Sequence, residues 1–296
     1  MSTDYTTMTS KALLTRMTSA LAAFQSSTSK FSIVSSINGS TSSSPPRTLY
    51  ILDSSFNPPS IAHYTLAHSA LKAALKDDSI AKPIRLLLLF ATLNADKAAQ
   101  PASTPHRLAM MVQLAEDLAK SLNSSAHAQQ LNNNISIDVA LTTEPYYTNK
   151  STAIAASTEY MSKPTHVHLI GFDTFTRMFN SKYYPSFSPP LSALSPYFDT
   201  AGHRLRVTLR PDDEFGTLEE QRAFLRRLTE GEMEQQGARS HWAQQIEFVG
   251  PNPKTGVSST KIREAAKRGN WDIVNELCPP SVAQWVQQNK LSWEQN

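Results

Sequence analysis

A single cysteine, Cys278, stands in a chain of 296 residues, which excludes an intramolecular disulfide and any zinc cage built from cysteines. Such usage fits a reducing compartment. Long apolar runs are also missing. The longest, 84–90, is interrupted by Arg85 and falls far short of the ~20 residues that a membrane-spanning helix needs. Charge of one sign is scarce as well: a formal net charge of +3 gives no reason to expect a nucleic acid partner, and it is compatible with small phosphorylated ligands. Walker A, GxGxxG and HExxH motifs do not occur. What is present, 40% hydrophobic residues, suffices for the core of one large α/β domain or two small ones.

One stretch organises the rest: Tyr50-Ile-Leu-Asp-Ser-Ser-Phe-Asn-Pro-Pro-Ser-Ile-Ala-His63. Residues 49–52 read as a short buried strand, Asn57-Pro58-Pro59 as a breaker, and 61–75 as a helix with Ser60 at its N-cap. An ordinary capping box would place Glu or Gln three residues after the cap. His63 takes that position here, where a protonated ring nitrogen faces an anion bound at the positive end of the helix. The plainer alternative is an ordinary surface or core histidine.

A second unusual helix start lies in Gly250-Pro-Asn-Pro-Lys-Thr-Gly-Val-Ser-Ser-Thr-Lys-Ile-Arg263. Ser258, Ser259 and Thr260 supply cap hydroxyls, and about two helical turns follow to Arg268 before Gly269 ends them. Lys261 and Arg263 in the first turn oppose the helix dipole at about 0.3–1 kcal/mol each, unless an anion binds between them. A triphosphate reverses that cost, because backbone N–H groups, hydroxyls and a guanidinium fork converge on its oxygens. The alternative is a helix whose basic residues point to water.

Between the two starts the pattern alternates. Strands are expected at 48–52, 84–90, 135–141, 166–170, 204–209 and 246–249, and helices at 61–75, 105–120, 152–161, 172–179 and 218–230. Short apolar strands alternating with amphipathic helices argue for a parallel sheet covered on both faces, with ligands at the carboxyl ends of its strands. The Ser/Thr-rich residues 1–46 contain a helical apolar stripe over about 10–25, best read as core cover. Their low acid content also fits a mitochondrial transit peptide. Residues 39–46 read as a flexible linker and the Pro-rich 184–196 as a loop or lid. His166 and His168 share one face of a strand. A metal pair would need a third ligand, and the spacing supplies none.

The first stretch resembles the nucleotidyltransferase signature GxFxPxHxGH, and more closely the nicotinamide mononucleotide adenylyltransferase form GSFNPxTxxH. Val257-Ser-Ser-Thr-Lys-Ile-Arg263 is similar to that family's ISSTxIR. Leu169-Ile-Gly171-Phe-Asp173 resembles its GxD segment, and Asn94-Ala-Asp-Lys97 with His106-Arg107-Leu-Ala-Met110-Met111 resembles its phosphate-contacting lysine and R-x-x-M helix. The resemblance covers roughly 47–291 and implies a Rossmann-like doubly wound parallel sheet at 47–296, preceded by the helical leader at 1–46. A similar front end occurs in some divergent fungal members.

That resemblance implies adenylyl transfer from ATP to nicotinamide or nicotinic acid mononucleotide, with magnesium carried by ATP and no metal held by the protein. His63, Arg263 and Lys97 are then the catalytic group. ATP contacts are expected at Ser54, Ser55, Phe56, Ser60, His63, Gly171, Asp173, Ser258, Ser259, Thr260 and Arg263. Mononucleotide contacts are expected at Ser55, Phe56, Asn57, Lys97 and Tyr146. Ser54 replaces the family glycine and narrows the approach of backbone to ligand. No tryptophan precedes residue 242, so Tyr146 and Tyr147 are the available aromatic platforms, or they simply pack a loop. Other acceptor phosphates, such as pantetheine phosphate, phosphocholine or glycerol phosphate, stay open, as does a degenerate nucleotide-binding regulator. A class I aminoacyl-tRNA synthetase lacks room for an anticodon-binding region. A cytosolic or nuclear home is expected, with neither nucleic acid nor membrane as partner, and homo-oligomerisation is left open.

Overall fold

The computed structural model describes residues 10–38, 44–93, 102–124, 135–210, 215–251, 258–289 and 291. Its sheet has seven strands: β1 (Phe31–Ile37), β2 (Thr48–Asp53), β3 (Ile84–Ala91), β4 (Ser136–Thr142), β5 (Thr165–Gly171), β6 (Arg204–Thr208) and β7 (Ile246–Val249). They lie side by side in the order β1-β4-β3-β2-β5-β6-β7. All neighbours are parallel except β1, which runs antiparallel to β4. The chain winds outward from β2 through β3 to β4, then crosses back to β5 on the other side of β2. A crevice therefore opens at the carboxyl ends of β2 and β5, the switch point where such sheets bind ligands.

The apolar strands are buried on both sides because helices cover both faces. Tyr50 and Leu52 of β2, with Leu86 and Leu88 of β3, enter the core under α1 (Ser10–Ser26), α2 (Ile61–Lys76) and α3 (Thr104–Asn123). Their neighbours Leu49, Ile51, Leu87 and Leu89 point the other way, onto Ile154 of α4 (Tyr147–Ala156) and Tyr160. A further apolar cluster holds α5 (Phe172–Met178) and α6 (Leu218–Thr229) against β6 and β7. After β7 come α7 (Ser259–Lys267), α8 (Trp271–Leu277) and α9 (Pro280–Gln288), the last packed on α3 with Val282, Trp285 and Val286 buried. Among the described residues no helix is long and apolar enough to cross a membrane.

The leader is part of this architecture. Helix α1 buries Leu13, Met17 and Phe24 and packs on α3, and β1 extends the sheet through β4. Strand β1 was not foreseen: as an edge strand it is only partly buried and tolerates Ser32, Ser35 and Ser36, which erase the alternation that a strand reading relies on. The linker expected at 39–46 lies mostly outside the described residues. Helix α4 starts five residues before the expected 152, directly after Pro145-Tyr146, and ends at Ala156. The Pro-rich 184–196 is an exposed loop over 185–189, as expected, and then turns into the core. It buries Leu191 and Leu194 ahead of Tyr197 and Phe198, so short 3₁₀ and π turns satisfy the backbone where proline bars an α-helix. Helices α8 and α9 were likewise not anticipated.

Candidate active site

The loop leaving β2 is shaped by what it must bury. Phe56 takes a φ of 42°, a region that disfavours a bulky side chain. Its ring is completely buried and packs on His63 with centroids 5.2 Å apart, which holds the turn in place. Asn57 and Ser60 are also buried, while Ser55 is exposed at the crevice.

Ser60 caps α2, and its backbone N–H donates to Nδ1 of His63 at 3.0 Å, the role an acidic side chain plays in an ordinary capping box. The Ser60 hydroxyl lies 2.9 Å from the same nitrogen. Burial lowers the His63 pKa to about 4, so the ring is neutral near pH 7. With Nδ1 accepting, the one ring proton sits on Nε2, which lies 2.9 Å from the Ser54 hydroxyl. The serine that replaces the family glycine thus meets His63 directly.

Helix α7 docks onto this loop. Its cap Ser258 accepts from the Lys261 N–H at 3.3 Å. The Ser259 hydroxyl donates to the Pro58 carbonyl at 2.9 Å, a docking contact rather than one aimed into the crevice. Arg263 forks: Nη1 donates to the Asn57 carbonyl at 2.9 Å and Nη2 to the Thr260 hydroxyl at 2.9 Å. Two helix N-termini therefore meet beside the end of β2. From α3, Arg107 lies over the Phe90 ring at 5.7 Å and donates through Nε to the Ala102 carbonyl. Its pKa is lowered by burial and then by the nearby charge of Arg263, so the corner carries concentrated positive charge.

Across the crevice, β5 ends at Gly171, the N-cap of α5, and Asp173 lies in the first turn. A Cβ on Gly171 would come within 2.6 Å of the Asp173 carboxylate, so only glycine lets that carboxylate fold back over the strand end. Tyr147 is packed in; burial first, then the charges of Asp53 and Asp173, raise its pKa well above the ordinary value. Tyr146 is exposed, its ring 6.4 Å from that of Tyr183. Lys97 lies outside the described residues.

Sequence reasoning missed an ion pair at the mouth of this crevice. Lys150 of α4 pairs with Asp53, the last residue of β2, and both side chains are over 90% buried. The ammonium also sits 4.9 Å from the centre of the Tyr147 ring. The carboxylate closing an apolar strand was a visible signal, but a partner 97 residues away was not. His166 and His168 gain a third ring, His203, yet His166 and His203 stack at 4.1 Å and 11°. Stacked rings direct their lone pairs in parallel rather than onto one point, and among the described residues no group of three His, Cys, Asp or Glu is placed to hold a metal.

No family model matches the chain. A Schizosaccharomyces pombe relative named "Putative nicotinamide mononucleotide adenylyltransferase" is 28% identical over 236 residues, spanning 79% of this chain and 82% of that protein. Two solved structures of Plasmodium falciparum nicotinic acid mononucleotide adenylyltransferase, complexed with NaAD and with APC, are each 12% identical. Each spans 84% of this chain and 98% of the other, at TM-scores of 0.47 and 0.44. The doubly wound sheet, with the two signature helix starts joined at its switch point, defines a nucleotidyltransferase. Both signatures, with the fission yeast likeness running across most of the chain, narrow the resemblance: over 79% of its length the chain is similar to a protein named as a nicotinamide mononucleotide adenylyltransferase.

Proposed function

We propose that this protein joins the adenylyl group of ATP to nicotinamide or nicotinic acid mononucleotide, releasing pyrophosphate and forming the dinucleotide of NAD synthesis. One observation carries the reading: the N-termini of α2 and α7 converge beside a neutral imidazole, held together by Arg263 and Ser259 on the loop carbonyls. In-line attack by the mononucleotide phosphate on the α-phosphorus needs positioning and charge stabilisation, with no nucleophilic side chain. Two helix N-termini, a guanidinium and a fixed ring N–H supply both.

In this reading His63 is the imidazole behind the hydrogen bonding that the α-phosphate receives, directly or through a neighbour, as its charge builds. Arg263, Ser258 and Thr260 hold the β- and γ-phosphates, with Ser259 fixing the helix that carries them. Asp173 accepts from the adenosine ribose, Ser55, Phe56 and Asn57 line the phosphate turn, Lys97 contacts a substrate phosphate, and Tyr146 offers its exposed ring to the pyridine base. Asp53 is already paired with Lys150, which fits a magnesium ion that arrives on ATP and keeps most of its waters. When bound there, magnesium neutralises part of the phosphate charge.

The test is dinucleotide formation from ATP, magnesium and each mononucleotide in parallel, beside His63→Ala. Product that falls about 100-fold in turnover in the variant supports the reading, in line with loss of one preorganised donor. ATP binding without product from either mononucleotide would overturn it in favour of another acceptor phosphate or a nucleotide-binding regulator.

A further inference from the structure

We propose that His63 reaches the reacting phosphate through Ser54: the Ser54 hydroxyl accepts the Nε2 proton in a hydrogen bond and donates its own proton to an α-phosphate oxygen. This rests on the adenylyl-transfer reading above. The geometry for it is complete on the protein side. The Ser60 N–H fixes Nδ1 of His63 as acceptor at 3.0 Å, which directs the N–H at Nε2 toward Ser54 Oγ at 2.9 Å. A hydroxyl that accepts keeps its own O–H to give.

Ser54 is well placed to use that donor. It is the first residue after β2, its N–H held by the Leu89 carbonyl at 3.3 Å, and it is only partly buried at the switch-point crevice. Behind it the imidazole is clamped by Phe56 and Ser60, so the ring cannot swing past the serine without breaking the cap. Three hydrogen bonds in line, from Ser60 N–H to His63 to Ser54 to the phosphate, polarise one another. No proton changes owner: a mononucleotide phosphate oxygen forms the new phosphoanhydride bond to the α-phosphorus while the bond from that phosphorus to the α,β-bridging oxygen breaks, and pyrophosphate leaves with the electron pair. Glycine at this position leaves the imidazole facing the phosphate directly; serine inserts a hydroxyl between them. Ser54 becomes the residue that touches substrate, and His63 becomes a positioning residue that orients and polarises it.

The experiment combines a double-mutant cycle with a spectroscopic signature. Turnover and the KM for ATP are measured for wild type, Ser54→Ala, His63→Ala and the double variant, with Ser54→Thr, which keeps the hydroxyl and is expected to keep turnover, as a second probe. A relay predicts that Ser54→Ala lowers turnover at least tenfold at little-changed KM, and that the double variant is no slower than His63→Ala alone, because the two residues act as one unit. In parallel, ¹⁵N spectra of the His63 ring are recorded with and without an α,β-methylene ATP analogue. The expected result is a neutral Nε2–H form whose signal moves on analogue binding in wild type and does not in Ser54→Ala. Wild-type turnover in Ser54→Ala, multiplying losses in the double variant, or a ring proton on Nδ1 would each overturn the relay. Should no dinucleotide form from either mononucleotide while the analogue binds, the functional reading fails, and the ring spectra decide the Ser54–His63 link by themselves.

Discussion

Nη1 of Arg263 donates to the carbonyl oxygen of Asn57 at 2.9 Å, joining two residues 206 positions apart. The guanidinium is thus part of the loop's scaffold as well as the charge that the proposed reading assigns to phosphate. Arg263→Lys keeps the charge and loses the fork, which a single ammonium cannot reproduce. Turnover over KM for ATP is expected to fall about tenfold in Arg263→Lys and 100-fold or more in Arg263→Ala, read from initial rates. Equal activity in the lysine variant would mean that the fork contributes nothing.

Four imidazoles give the protein a defined response to acid. Burial lowers the pKa of His63 and His203 to about 4 and that of His166 and His168 well below the usual value. Above roughly pH 6.5 these rings are neutral in folded and unfolded chains alike, so they cost nothing. As pH falls below 6.5 the unfolded chain takes up protons that the folded one cannot, and stability drops by about 1.4 kcal/mol per pH unit for each ring. Thermal melts from pH 7.5 to 5 should show a steadily falling midpoint, with a shallower slope in His166→Phe. A midpoint independent of pH over that range would contradict the burial of these rings.

Lys150→Met removes the partner of Asp53 and leaves a buried carboxylate unpaired. The expected loss is about 3–5 kcal/mol in urea unfolding, with Asp53→Asn added to it restoring part of that loss. A loss under 1 kcal/mol in the single variant would show that water reaches the pair.

How much of this was legible in the sequence depends on the distance between partners. The turn from Asp53 to His63 and the helix start at Ser258 are contiguous, so their residue types alone singled them out as unusual helix starts, with a bound phosphate as one of two readings at each. The alternation of apolar strands and helices likewise made the parallel sheet visible. Lys150 was not legible, because nothing near it in the chain marks it as the partner of Asp53. Nor was β1, whose serines are tolerated by an edge that buries little. Ser54 read only as a departure, since its hydroxyl meets the Nε2 of His63 in a contact that needs the cap geometry of Ser60 to define it. The Pro-rich segment was legible as a loop, but not its burial after Pro190, because proline signals the lack of an α-helix and not whether the turn is buried.

Gly171→Ala probes the other wall of the crevice. The added Cβ would stand 2.6 Å from the Asp173 carboxylate and must push it away from the strand end. The KM for ATP is expected to rise about tenfold with turnover less affected, consistent with about 1.4 kcal/mol of lost binding. An unchanged KM would remove Asp173 from the ribose site.

The sheet order has a consequence for synthesis on the ribosome. Strand β2 emerges early, yet its crevice is walled on one side by β5 and closed by α7, which follows it by about two hundred residues. Until Arg263 has left the exit tunnel the loop at 54–60 lacks its docking partner. A growing chain therefore carries that loop without its partner through about two hundred residues of synthesis, and in the proposed reading ATP can add to its stability only after that point.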